Sequence, residues 1–212
     1  MIIQILFYLK KKKYFPKKKF AIYTDSGGPY FSGDRHLNNS KKLVCDYDKY
    51  YNALNKFFKK LEIFFNIEIL IIPHPKYKLK KNFSLNPYFD KKKILNNYDA
   101  LARISSKCMF FINFNSTAQS FAIASKKPTI LFYSSKHIID SPGNISSQKK
   151  LSSKIKIKPI DICNFDMKEI QRCLKVDLKA CNDYKYNFLT PRNKSIENKT
   201  NSEILANIVE RF

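Results

Sequence analysis

The chain has 212 residues, 44% hydrophobic and 15% aromatic, which is enough apolar material for a sizeable core and excludes a chain disordered throughout. Its formal net charge is +23, yet 35 of the 40 basic residues are lysine and only 5 are arginine. That balance argues against a specific nucleic-acid reader, which favours the bidentate guanidinium. Ile, Asn, Phe and Tyr are abundant too, and all share A/T-rich codons with Lys, so the charge reads as a background.

No apolar run approaches the roughly 18 residues of a membrane span. Residues 1–9 are apolar and are followed by Lys10–Lys13 and Lys17–Lys19. A secretory signal has the opposite order. The segment fits either a linker from a preceding domain or a peripheral anchor on an acidic membrane, and the linker is the simpler reading. The five cysteines, Cys45, Cys108, Cys163, Cys173 and Cys181, form no CxxC. Their spacing fits neither zinc nor a disulfide framework and suits a reducing compartment.

In chain order, Phe20–Thr24 is a β-prone run that enters the turn Asp25-Ser26-Gly27-Gly28-Pro29. Residues 29–45 read as loop. Asp46 or Asp48 can cap the next segment, whose apolar residues Tyr50, Tyr51, Leu54, Phe57, Phe58, Leu61, Phe64 and Phe65 recur at helical spacing. Residues 67–72 form a continuous apolar run before Pro73-His74-Pro75-Lys76 and predict a buried parallel strand. Residues 77–93 read as loop with a short helix, and residues 98–107 as a short helix. A second buried strand is expected over 108–114, followed by Asn115-Ser116-Thr117 and a small-residued helix over 118–125.

A third buried strand is expected over Thr129–Tyr133. Residues 134–154, rich in Ser and Lys with Pro142-Gly143, read as loop. Residues 156–162 suggest an edge strand because of Pro159. Residues 166–174 read as a capped helix and 184–189 as a short aromatic segment. A capping box, Thr200-Asn201-Ser202-Glu203, opens a final helix.

Alternation of strand and helix predicts an α/β fold, a Rossmann-like doubly wound parallel sheet. The expected organisation is a basic segment or linker over 1–19, a Rossmann-like domain over 20–162 and a helical extension over 163–212. Ligands of such sheets bind beyond the carboxyl ends of the strands. Asn115, Ser116 and Thr117 stand at one such end, where a helix start can hold an anion or simply be capped. His74 and Lys76 stand at another, and His74 can donate to a phosphate oxygen or make a structural bond in its turn. Asp25 at a third is a candidate general base or a turn cap. No His, Cys, Asp and Glu cluster has metal-ligand spacing, no metal or cofactor is expected, and there is no Walker loop or GxGxxG.

The order of these blocks resembles one family. Ile71-Ile72-Pro73-His74-Pro75-Lys76, then Asn115-Ser116-Thr117-Ala118-Gln119-Ser120-Phe121-Ala122, then Lys127-Pro128-Thr129-Ile130, looks like the C-terminal half of a GT-B glycosyltransferase of bacterial surface carbohydrate (capsule or lipopolysaccharide) biosynthesis. More distantly it is similar to bacterial sialyltransferases with HP and S/T motifs. The resemblance spans residues 17–205.

It implies a nucleotide-sugar donor, CMP-, UDP- or GDP-linked, whose phosphates meet His74, Lys76 and the Asn115, Ser116 and Thr117 helix start. Fixed donors there would stabilise charge that develops on the departing phosphate. The family's base usually comes from elsewhere in the cleft, so Asp25 is a candidate from its position alone.

A full enzyme of that fold has about twice this length. The resemblance therefore implies an acceptor-binding half carried by a separate chain, cut off by a late start codon or lost. The expected location is the cytoplasm, including the inner face of the membrane. The alternative reading is a non-catalytic, basic, peripheral membrane or assembly subunit that retains the fold. A nucleic-acid partner is the weakest reading.

Overall fold

The structure, a computed structural model, describes residues 18–26, 46–74, 86–95, 101, 104–114, 116, 118–136 and 142–189. These residues form a parallel sheet with helices on both faces, the doubly wound α/β class that the alternation predicts. Its strands are β1 (Phe20–Thr24), β2 (Glu68–Ile72), β3 (Phe111–Asn113), β4 (Thr129–Tyr133) and β5 (Ile160–Asp161), in the order β2-β1-β3-β4-β5. Every pairing is parallel.

A further parallel bridge joins Ile94 to Ile71, and the Leu95 amide donates to the Ile71 carbonyl at 2.9 Å. This single-residue bridge lies outside the five strands, whose order 2-1-3-4-5 is one of the common doubly wound orders.

The strand sequences explain the two-sided burial. Phe20-Ala21-Ile22-Tyr23-Thr24 is buried at every position. A period of two sends Ala21 and Tyr23 into one cluster and Phe20 and Ile22 into the other. The first cluster is completed by α1 (Tyr47–Phe65), whose Tyr50, Tyr51, Leu54, Phe57, Phe58 and Leu61 are all buried. Around Tyr23 stand the rings of Phe58, Phe89 and Phe132, at 5.0, 5.6 and 6.2 Å between centroids. The second cluster takes in Leu101, Ile104 and Ala122.

Helix ends follow the local chemistry. Asp46, not Asp48, caps α1, and its carboxylate accepts from the Lys49 amide at 3.1 Å. Asn66 closes that helix in the left-handed region at φ 49°, a conformation asparagine tolerates. Asp166 caps α4 (Met167–Cys173), and Asp177 caps α5 (Leu178–Tyr184), which runs on into a wider π-helical turn over Lys185–Leu189. Ile170, Cys173 and Cys181 belong to the first cluster, so both helices pack onto the sheet core.

Several expectations need correction. Residues 134–154 are not all loop, because α3 occupies Pro142–Ile155. Proline is tolerated in the first turn of a helix, and buried Leu151 and Ile155 stand one turn apart on it. The strand expected over 108–114 is shorter. The Cys108 amide still bonds the Ile104 carbonyl at 3.1 Å, closing the preceding helical turn. The edge strand is confined to Ile160–Asp161, and α5 has no counterpart among the elements expected from sequence. The basic segment before residue 18, the loop over 29–45 and the final helix after Thr200 lie outside the described residues.

Candidate functional site

The sheet order reverses beside β1. From β1 the chain moves outward to β2, then crosses back to add β3 on the other side. The carboxyl ends of β1 and β3 are therefore the topological switch point, the position where open α/β sheets bind ligands.

Thr24 and Asn113 are register partners at that point, and the Thr24 hydroxyl donates to the Asn113 side-chain carbonyl. Asn113 is fully buried, and its Nδ2 has no hydrogen-bond partner among the described residues. The Ser26 hydroxyl, also buried, has none either. A buried amide donor left unmade costs on the order of 1–3 kcal/mol. Asn86 Nδ2 and Gln148 Nε2 are likewise buried without a partner among the described residues, so what sets Asn113 apart is its place at the switch point.

Asp25 lies at the same level, 3% exposed. Its backbone amide donates to the Ile72 carbonyl at 2.9 Å, and the Tyr23 hydroxyl stands 3.5 Å from its carboxylate. Alternation puts Asp25 on the α1 face with Tyr23, and Thr24 and Asn113 on the face of α2 (Gln119–Ala124). His74 is half-buried two residues past the end of β2.

Ser116 leads into α2. Its hydroxyl oxygen accepts from the Ala118 amide at 3.2 Å, and its carbonyl accepts from the Gln119 amide at 3.1 Å. The first amides of this short helix are thus already engaged, so what Ser116 can offer a ligand is its hydroxyl proton. Asp25, His74 and Ser116 all sit at the carboxyl edge of the sheet. Lys76, Asn115 and Thr117 lie outside the described residues.

The ends of β4 and β5 differ from this switch point. Asp161 accepts there from the amides of Ser135 and Cys163 at 3.2 and 3.0 Å, and the Ser134 hydroxyl meets the Cys163 sulfur at 3.2 Å. Those polar groups are spent on one another, whereas the Asn113 Nδ2 and the Ser26 hydroxyl have no partner among the described residues. Neither residue stands out in the sequence. The one signal that could have found Asn113 is an asparagine inside an otherwise apolar strand, where burial demands a reason.

Among the described residues no group of three or more His, Cys, Asp and Glu could hold a metal ion. No helix among them is long and apolar enough to cross a membrane. No protein-family model matches the chain, and no curated protein matches it.

Proposed function

We propose that this chain binds the nucleotide part of a nucleotide-sugar and serves as the donor-binding half of a surface-polysaccharide glycosyltransferase. The single observation that carries the reading is the fully buried Asn113 amide at the switch point between β1 and β3, whose nitrogen has no partner among the described residues. The motif order quoted above supplies the ligand class. In this reading Asn113 and Ser116 donate to oxygens of the donor and His74 donates to a phosphate, while Lys76, Asn115 and Thr117 are assigned to phosphate binding from the motif order alone.

In the transfer an acceptor hydroxyl attacks the anomeric carbon, the bond from that carbon to the phosphate oxygen breaks, and the nucleotide leaves with the electron pair. The acceptor's proton passes to a base, for which Asp25 is the candidate from this chain. Donors fixed before the reaction act where negative charge grows on the leaving phosphate.

Thermal unfolding with CMP, UDP and GDP at millimolar concentration tests the reading. One of the three should raise the midpoint by several degrees, since saturation a hundredfold above Kd is worth about 2.7 kcal/mol. Asn113→Asp keeps the acceptor for Thr24 while removing the amide donor, and it should abolish the shift. Ser116→Ala and His74→Ala should reduce it. The absence of a shift with all three nucleotides would overturn the proposal.

A further inference from the structure

The opposite edge of the sheet carries a different surface. A shallow, open basin of about 670 Å³ is lined by Lys19, Lys107, Lys126 and Lys127, with Met109 and Val176 among its apolar residues. Lys19 immediately precedes β1, Lys107 and Met109 precede β3, and Lys126 and Lys127 precede β4. The basin therefore lies at the amino ends of the strands, away from the switch point.

Its lysines stand on fixed backbone. The Lys126 amide bonds the Ile123 carbonyl at 3.0 Å and the Lys127 amide bonds Ala122 at 2.9 Å, with Lys126 held left-handed at φ 52°. The Met109 amide donates to the Phe20 carbonyl at 2.8 Å. Among the described residues no carboxylate lines the basin. Asp177, next to Val176 in sequence, is held by Lys156 at 3.0 Å.

Apolar groups reach water at the same edge. Met109 is 38% exposed. Phe64, 48% exposed, packs on Phe65, which packs in turn on Phe110 beside Met109.

We propose that this edge is a docking surface for the anionic headgroups of a lipid bilayer. Four lysines around an open apolar floor match a plane of phosphates, while Met109 and Phe64 can enter the boundary between headgroups and chains. The openness of the basin suits an extended surface better than an enclosed small ligand. The exposed thioether and ring have no role against a nucleic-acid backbone, and no arginine lines the basin among the described residues. The inference is independent of the nucleotide reading. Together they would leave the switch point facing water while the amino edge rests on the membrane.

Sedimentation of the full chain with vesicles tests it. Binding is expected to phosphatidylcholine vesicles containing phosphatidylglycerol, and not to phosphatidylcholine alone. Lys19→Glu with Lys126→Glu and Lys127→Glu should weaken binding at least about tenfold. Lys49→Glu with Lys56→Glu and Lys60→Glu changes the net charge equally on α1 and should leave binding near the parent value. Met109→Asp should weaken it severalfold, and circular dichroism of each variant establishes that it is folded. Undiminished binding by the basin variant, or equal losses in both triple variants, would overturn the assignment. So would a short DNA duplex that displaces the vesicles through the same lysines.

Discussion

Cys108 illustrates how much a single side chain's surroundings decide. Its thiol is buried and donates to the Ser105 carbonyl at 3.2 Å. Burial pushes it up to about 12 from an ordinary 9.0, against a weaker opposing pull from Lys127. Burial raises Cys173 and Cys181 as well. The sign follows from linkage: above about pH 9 the unfolded chain loses these protons while the folded chain keeps them. The stability that Cys108 contributes is complete below about pH 9 and declines as pH rises toward 12. The unfolding midpoint should therefore fall between pH 8.5 and 10.5, and Cys108→Ala should show a shallower fall than the parent. Equal slopes would remove Cys108 from the account. The same burial and raised pKa disfavour the reactive thiolate. Asn113 was harder to read, because a buried donor without a partner is a property of the space around it and not of its neighbours in sequence.

At the scale of the element, β1, β4 and α1 were legible because their patterns are strong and their boundaries chemical. Asp166 opens the helix that the sequence begins there, and of the two candidates for α1 it is Asp46 that caps. Helix α3 was hidden by composition. Ser, Lys and the pair Pro142-Gly143 resemble a loop, and the helical signal reduces to Gln148, Leu151 and Ile155, three buried positions at spacings of three and four. Tertiary packing supplies what propensity lacks: the helix links parallel β4 to β5, and its contacts reach α5. Packing of this kind has a measurable size. Leu151→Ala should cost about 2–4 kcal/mol in urea unfolding, the range for truncating a buried leucine. Lys149→Ala, on an exposed position of the same helix, should stay within about 0.5 kcal/mol. A cost below about 0.5 kcal/mol for both would return this segment to the loop that composition suggests.

Over the whole molecule the surplus of positive charge governs how stability and association respond to solvent. Ion pairs of the described residues include Lys93–Glu62 at 2.6 Å, Lys158–Glu169 at 2.6 Å and Lys156–Asp177 at 3.0 Å. They consume few of the 40 basic residues set against 17 acidic ones. The exposed pairs contribute little, and salt weakens them. Mutual repulsion among the remaining lysines opposes compaction and is screened by the same salt, with a Debye length near 10 Å at 0.1 M. The two effects have opposite signs, and at a net charge of +23 repulsion is the larger. Raising sodium chloride from about 0.02 to 0.3 M should therefore increase the midpoint of thermal unfolding by several degrees, most of it below 0.1 M, where screening changes fastest. A midpoint that falls with salt would mean that attractive pairs outweigh the repulsion. Vesicle binding should weaken over the same range, so salt separates the two consequences of one surplus: it steadies the fold while releasing it from an anionic surface.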